Sequence, residues 1–209
     1  MQLCNCPVSA ALTSIPKTGC PESFGQIQKV IFQRLKDAEG KANGFSSTLP
    51  ITKLASWTPL LTASDGTKAV VSPYVQAPTD GGGDAISSGS GNDVLGGIPE
   101  IVGTNPITFS AEIRAVSQDV IAAMKSLVCE ARGKNLGVYL VSENGSIEAI
   151  KGKADGEYHP IPIASLFISD KMHGNLDKYD FNRISWSYLP NYSDSLEIVT
   201  PEFNPLTQL

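Results

Sequence analysis

The stretch Asp119–Ile150, DVIAAMKSLVCEARGKNLGVYLVSENGSIEAI, decides the fold class of this chain. In its first half, apolar side chains recur at helical spacing, and Gly133 ends the pattern as a glycine after the last helical turn often does. Its second half holds two β-type runs on either side of Asn144-Gly145, the strongest short-range signal for a hairpin. The stretch therefore predicts a helix over residues 117–132 and then a β-hairpin. The predicted helical face consists of Val120, Met124, Leu127, Val128 and Ala131.

Outside this stretch, runs rich in β-branched and aromatic residues predict further strands. Residues 49–63 are ambiguous, because Pro50 could open a short helix that Pro59 would interrupt. The pattern is that of a mainly β protein, an antiparallel sandwich or barrel with one packed helix. The predicted strands cover residues 26–35, 68–72, 106–115, 136–142, 146–151, 161–168, 181–189 and 195–200.

The expected organisation is a single β-rich domain over residues 25–200, between an N-terminal arm (1–24) and a C-terminal arm (201–209). A Gly-, Ser- and Asp-rich loop over residues 76–105 is inserted in this domain. A connection of about 30 residues without regular structure is uncommon in a compact domain and is usually functional or disordered. We expect this loop to make assembly contacts. Its candidate residues are Asp80, Gly82, Asp84, Gly91, Asp93 and Leu95.

The formal net charge of −5 argues against a nucleic-acid-binding surface. This negative charge is compatible with a pore through which DNA passes without binding, because a basic wall would bind the phosphates. No stretch approaches the roughly 18 consecutive apolar residues of a membrane span. The first residues also lack the basic and apolar regions of a signal peptide. We therefore expect synthesis in the cytosol and no membrane partner.

The sequence shows no recognisable catalytic constellation. His159 and His173 lie in no nucleophile motif, and there is no G-x-S-x-G, H-E-x-x-H or phosphate-binding loop. Four acidic residues could suggest carboxylate catalysis, but that chemistry needs two carboxyl groups at a defined separation across a cleft. We interpret them as solvated loop residues and expect neither an enzyme nor a cofactor. These residues are Glu157, Asp170, Asp177 and Asp180.

Three of the four cysteines, Cys4, Cys6 and Cys20, cluster near the start of the chain. Zinc sites prefer C-x(2–4)-C pairs and four ligands, so free or buried thiols are favoured over a metal site. A disulfide between Cys6 and Cys20 is a further alternative. Cys129 falls inside the helical pattern, and we interpret it as a small core residue.

The segment SGSGNDVL (88–95) resembles the calcium-binding nonapeptide of RTX β-rolls, and GGDAI (82–86) repeats its register. Aspartate and backbone oxygens from stacked turns would be the ligands. About three or more repeats are needed to form a stable roll, and this chain has fewer than two. A flexible interaction loop is therefore favoured, with Asp84, Asn92 and Asp93 as the alternative calcium ligands.

The two tryptophans, Trp57 and Trp186, are expected to be core or interface anchors. Within residues 181–189, Ile184, Trp186 and Tyr188 form an apolar stripe on one face of the predicted strand. We favour the core for this stripe over a contact with a neighbouring subunit, because aromatic stripes usually serve packing.

The order of elements resembles that of the tail-tube proteins of long-tailed bacteriophages, and the chain looks like virion proteins of phages that infect Bacteroidetes. Three segments carry this resemblance: the cysteine-bearing N-terminal arm, the helix–hairpin stretch Asp119–Ile150, and the ending SLEIVTPEFNPLTQL (195–209). No diagnostic motif is present.

The resemblance implies a structural virion protein without enzymatic activity. Tail-tube subunits form hexameric rings that stack into a DNA-conducting tube, so residues 76–105 would be the stacking loop. The partners would be other copies of the chain, other virion proteins and passing DNA. Two alternatives stay open, a capsid decoration or head–tail connector protein and a calcium-stabilised surface or adhesion module. Deleting residues 80–97 is expected to abolish stacking and to leave the fold intact.

Overall fold

Strand β7 (Leu136–Ser142) is the centre of the structure, because all seven of its residues are buried. The structure is a computed structural model that describes residues 14–16, 23–89 and 91–209. Along one edge, β7 pairs antiparallel with β1 (Ile27–Arg34). Along the other edge, the start of β7 pairs with β10 (Ile161–Ile168) and its end pairs with β8 (Ile147–Lys151). The strand therefore forks the sheet into two branches.

The longer branch continues from β10 through β11 (Phe181–Tyr188) and β6 (Thr108–Arg114) to β3 (Val75–Gly81). The shorter branch pairs β8 with β9 (Tyr158–His159) and with the edge strand β12 (Leu196–Val199). The short strand β2 (Ala69–Val71) pairs with β1. All these pairings are antiparallel.

Ser72 connects β1 to β3, the last strand of the longer branch. Its N–H donates to the carbonyl oxygen of Val30 (2.8 Å), and its Oγ accepts from the Val30 N–H (3.0 Å), which extends the pairing of β2 with β1. The chain then continues directly into β3, at the other end of the branch. The sheet therefore curls around one core.

That first core lies on one face of β1 and β7 and is lined by β6, β10 and β11. Trp186 is its largest residue, stacked on Phe109 with ring centroids 4.1 Å apart and in edge contact with Phe32. Helix α2 (Gln118–Arg132) packs its apolar face here through Ile121, Met124 and Ala131. Ile184 and Tyr188 are buried beside Trp186, which confirms the predicted core role of this stripe.

A second core lies on the opposite face of β1 and β7, where Ile31, Tyr139 and Val141 point. Trp57 fills it from helix α1 (Leu54–Thr62), and its Nε1 donates to the carbonyl oxygen of Ile51 (2.9 Å). Helix α1 tolerates Pro59 in its interior because burial of Trp57 outweighs the lost backbone hydrogen bond. The ambiguous residues 49–63 thus contain a helix.

The predicted fold class is confirmed: the protein is a mainly β, antiparallel sandwich with one long packed helix. Each predicted strand corresponds to an observed strand, with bounds that differ by at most two residues. The Asn144-Gly145 hairpin is also confirmed, since β7 and β8 pair on either side of it.

Two details predicted for α2 are wrong. Cys129 is exposed, because the helix turns Ile121 and Met124 inward and places the cysteine on its outer side. Val120 is exposed for the same reason. The predicted end of the helix is confirmed, since Gly133 directly follows the last helical residue; it keeps a right-handed conformation, and the left-handed residue is Lys134 with φ 54°.

The C-terminal residues 201–209 were expected to extend as an arm, and this is also wrong. They end in a short helix, α3 (Pro205–Gln208), and their apolar side chains pack against the second core. The Lys29 ammonium donates to the carbonyl oxygens of Leu206 (2.7 Å) and Leu209 (3.1 Å). Burial lowers the pKa of Lys29. The apolar residues of this segment that contact the core are Phe203, Leu206 and Leu209.

Residues 84–105 form a unit separate from residues 24–83 and 106–209. They contain two paired strands, β4 (Ala85–Ser88) and β5 (Glu100–Thr104), joined through short 3-10 turns. The predicted loop 76–105 is therefore not free of regular structure. Its first residues belong to β3, and most of the rest is a hairpin.

Candidate assembly surface

The β4–β5 hairpin is closed at its base by a hydrogen bond from the Asn105 N–H to the Asp84 carbonyl oxygen (2.9 Å). Its strands pair from Ala85 opposite Thr104 to Ser88 opposite Glu100, with one register shift. Gly89 begins the turn with φ 77°, and a Cβ there would lie 2.4 Å from Val94 Cγ1. The turn therefore requires glycine at this position.

None of the described residues of this hairpin is buried. Five of its six large aliphatic side chains are exposed, with Leu95 fully exposed and Ile98 exposed by 76%. An isolated two-stranded hairpin is marginally stable in water, and exposed large apolar side chains on such an element suggest an interaction site. We call these five residues the hairpin patch. They are Ile86, Leu95, Ile98, Ile101 and Val102.

The hairpin brings together four of the six predicted assembly residues, namely Asp84, Gly91, Asp93 and Leu95. Asp80 and Gly82 belong to the other unit. Asp80 lies in β3 opposite Phe109 of β6.

Gly82 follows β3 with φ 89°. A Cβ at this position would lie 2.4 Å from the carbonyl oxygen of Pro106. Glycine is therefore required where the chain leaves the sheet.

The proposed calcium ligands Asp84, Asn92 and Asp93 are all exposed. Within residues 14–16, 23–89 and 91–209, no three His, Cys, Asp or Glu side chains converge as a metal site would require. The cysteines Cys4, Cys6 and Cys20, with the proposed Cys6–Cys20 disulfide, lie outside the described residues.

A second exposed apolar surface, which the sequence analysis missed, lies at the end of β10 and in the loop 169–180 before β11. Leu176 is fully exposed, Tyr179 is exposed by 74% and Phe167 by 57%. Apolar residues spaced through the polar run SDKMHGNLDKYD were the available signal. We call this surface the loop patch; it consists of Phe167, Met172, Leu176 and Tyr179.

Ion pairs hold the loop of this patch against the sheet. Lys171 pairs with Asp180 (2.6 Å), whose carboxylate also accepts from the Gly174 N–H (3.0 Å). Both contacts lower the pKa of Asp180. Lys178 donates to Glu112 of β6 (2.9 Å), which Arg114 also contacts (2.6 Å).

Replacing Glu112 by Gln should lower the stability by about 1 kcal/mol at pH 7 and leave it nearly unchanged near pH 3. Burial opposes ionisation of Glu112, but hydrogen bonds from Lys178 and Arg114 outweigh it and lower its pKa. A carboxyl group with a lowered folded-state pKa stabilises the fold above its unfolded value, about 4.3 for Glu, and this contribution is lost as the pH falls through the folded value. Urea denaturation at several pH values measures the difference.

The matched control for this variant is Asp170→Asn. The Asp170 side chain is 95% exposed beside Lys125, so its removal should change the stability little at any pH. An equal loss for Glu112→Gln at pH 3 and pH 7 would contradict the ion-pair explanation.

The acidic residues considered for catalysis do not share a cleft. Glu157 contacts His159, Asp170 contacts Lys125, and Asp180 contacts Lys171. Asp177 is exposed in the loop 169–180.

His173 is 84% exposed, and His159 has both ring nitrogens in contact with oxygen atoms. In the part of the chain that the structure describes, no helix is long and apolar enough to cross a membrane.

No family model and no curated protein matches this chain. Among solved structures, a chain from the virion of a native gene transfer agent particle is similar, with 12% identity, a TM-score of 0.33, and coverage of 60% of this chain and 84% of that chain. A chain from the tail of an empty gene transfer agent particle with C6 symmetry has the same identity and TM-score and is covered over 81% of its length. At these values neither similarity carries an argument about function.

Proposed function

We propose that this chain is a structural virion protein of a phage-like particle that assembles with copies of itself into a tail tube. The observation that carries this proposal is the hairpin patch, the five exposed large aliphatic side chains of one short hairpin. Soluble monomers rarely expose large contiguous apolar surfaces, which instead mark interaction sites. Residues 84–105 take the role of the assembly loop, with Asp84, Gly91, Asp93 and Leu95 in it.

Two apolar surfaces made of different residues favour a head-to-tail association. The hairpin patch and the loop patch differ in their residues, so a contact of one with the other is not self-complementary. Such heterologous contacts produce closed rings or open filaments, depending on the rotation between subunits. Both outcomes suit a subunit that forms stacked rings.

Charged residues lie at both surfaces. Residues 84–105 contain Asp84, Asp93 and Glu100 and no lysine or arginine. Beside the loop patch, Arg183 is exposed and has no ion pair among the described residues. The loop itself carries Asp170, Asp177 and Asp180 against Lys171 and Lys178, so an attraction for the acidic hairpin would have to come from Arg183.

The proposed role also includes the other partners expected of such a subunit. In a tube, the net charge of −5 suits a wall that DNA passes without specific binding. Other virion proteins would bind at the ends of the tube, and the protein would reside in the virion after synthesis in the host cytoplasm.

Negative-stain electron microscopy and light scattering of the purified chain test this function. We expect rings or tubes with a central lumen at micromolar concentration. A monomer at every concentration would contradict self-assembly and would favour a capsid decoration or connector protein that binds a different partner. Loss of thermal stability on addition of a calcium chelator would instead favour the adhesion module.

A further inference from the structure

The half-buried side chain of His159 in β9 lies between two oxygen atoms. Its Nδ1 is 2.8 Å from the carbonyl oxygen of Asn43, and its Nε2 is 3.0 Å from Oε1 of Glu157. A carbonyl oxygen and an ionised carboxylate are both acceptors, so both contacts are hydrogen bonds only when the ring carries two protons. The geometry therefore fits an imidazolium cation.

Glu157 is suited to keep its negative charge next to this ring. Its carboxylate accepts a hydrogen bond from the Ala154 N–H (3.0 Å) as well as the contact from His159. These two contacts, the first being the larger, lower the pKa of Glu157. The carboxylate is thus an acceptor throughout the range in which histidines titrate, about pH 5 to 8.

The segment that His159 contacts also covers the second core. Phe45 is buried there between Trp57 and Tyr139, with ring centroids 4.5 and 5.7 Å away. The backbones of Phe45 and Tyr158 exchange two hydrogen bonds (2.7 and 3.1 Å), so the segment is attached to β9 as a short strand.

The neighbouring residues hold this attachment in one geometry. The Asn43 amide donates to the carbonyl oxygens of Arg34 (3.0 Å) and Gly66 (2.8 Å). A Cβ at Gly44 would lie 2.2 Å from the Tyr158 carbonyl oxygen and 2.6 Å from His159 Nδ1, so only glycine permits the close approach.

We propose that His159 is a pH-sensitive latch that fastens residues 43–45 onto β9 when its ring is protonated and weakens this attachment when the ring loses its second proton. The neutral ring keeps one N–H and can donate to only one of its two acceptors. The other contact then brings a nitrogen lone pair against an oxygen lone pair. The attachment is therefore stronger when both ring nitrogens carry a proton and weaker when the ring is neutral.

Few other charged groups face this site. From the loop after β1, Asp37 and Lys41 line the same pocket, as does Glu157, which directly precedes β9. The remaining elements contribute uncharged side chains, Gln33 from β1, Leu60 from α1 and Thr67 from the turn before β2. Because Asp37 and Lys41 have opposite charges, Glu157 is the principal electrostatic partner of the ring.

The test follows both histidines by NMR from pH 5 to 8.5 and measures amide hydrogen exchange of Phe45 and Tyr158 over the same range. The chain has only two histidines, so the variant His173→Gln assigns the signals. We expect the protection factors of both amides to fall about tenfold as His159 titrates, the fold-change expected for one charge-assisted hydrogen bond. His173 lies in the loop 169–180 and is 84% exposed, so the variant His173→Gln should leave the protection factors of both amides unchanged.

The variant Glu157→Gln provides the second measurement, since it removes the negative charge and retains an amide oxygen. It should move the His159 midpoint to lower pH and move the loss of protection with it. Constant protection factors while His159 titrates, or a His159 signal that does not change between pH 5 and 8.5, would overturn the proposal. Both readouts use the intact chain and do not depend on its assembly.

Discussion

Replacement of Ala85–Thr104 by a two-glycine link should yield a folded monomer that no longer assembles. The ends can be joined because the Asp84 carbonyl oxygen and the Asn105 nitrogen are 2.9 Å apart. Burial of a large aliphatic side chain contributes about 1.5–3 kcal/mol, and tenfold in affinity corresponds to about 1.4 kcal/mol. The loss of five such side chains should therefore reduce association by several orders of magnitude. Light scattering and electron microscopy measure this loss.

The fold should survive this excision, because the removed residues contribute no side chain to either core. Thermal unfolding of the variant should differ by only a few degrees from that of the full chain. The earlier boundary of residues 80–97 is unsuitable for this test, because residues 80 and 81 pair with β6. A variant that unfolds would show that the hairpin supports the sheet, and one that still assembles would exclude the hairpin patch as the contact.

A polar variant of the hairpin tests the exposed side chains without removing the backbone of the hairpin. The change of Leu95 and Ile98 to Ser keeps the strands β4 and β5, since neither residue lies in them. It should weaken assembly strongly. The matched control Leu95→Met preserves an apolar side chain and should assemble normally.

Replacement of Trp186 by Ala should destabilise the protein by about 3–5 kcal/mol, the usual cost of removing a buried aromatic residue. The ring of Trp186 is 1% exposed and contacts three aromatic rings around the first core. Total stabilities are about 5–15 kcal/mol, so this loss is a large fraction of the free energy of unfolding. Guanidinium denaturation followed by circular dichroism measures the change.

The variant Trp186→Phe should cost clearly less. It keeps a ring against Phe109, and it removes the indole Nε1–H, which is buried and has no hydrogen-bond partner among the described residues. An unpaired buried donor costs about 1–3 kcal/mol, which offsets part of the lost volume. Equal losses for the Phe and Ala variants would show that the Nε1–H has a partner, and a loss under about 1 kcal/mol for Trp186→Ala would contradict the packing.

The sequence was sufficient to predict the strands that carry the cores. Residues 181–189 show why, because Ile184, Trp186 and Tyr188 alternate with polar residues and the strand buries that face. The sequence does not decide helix α1, because this helix is stabilised by burial of Trp57. Such tertiary packing cannot be read from local helix propensity.

The assembly surfaces could be predicted only in part. The glycines and serines of residues 76–105 indicated a loop, but the pairing of β4 with β5 depends on a turn at Gly89 that composition does not reveal. The loop patch was missed because exposure is a property of the tertiary structure. Leu166 and Leu176 are the same residue type ten positions apart, yet one is 4% exposed and the other fully exposed.

Strand β7 has a consequence for how the protein folds. It faces the first core with Leu136, Val138 and Leu140 and the second core with Tyr139 and Val141. Because both cores share β7, the loss of this strand from one core also disrupts the other. Residues 24–83 and 106–209 should therefore unfold in one cooperative transition. The contact between Gln33 and Tyr139 also spans 106 residues of chain, and such distant pairing makes folding slow. A nascent chain would remain without its central pair of strands until β7 has been synthesised.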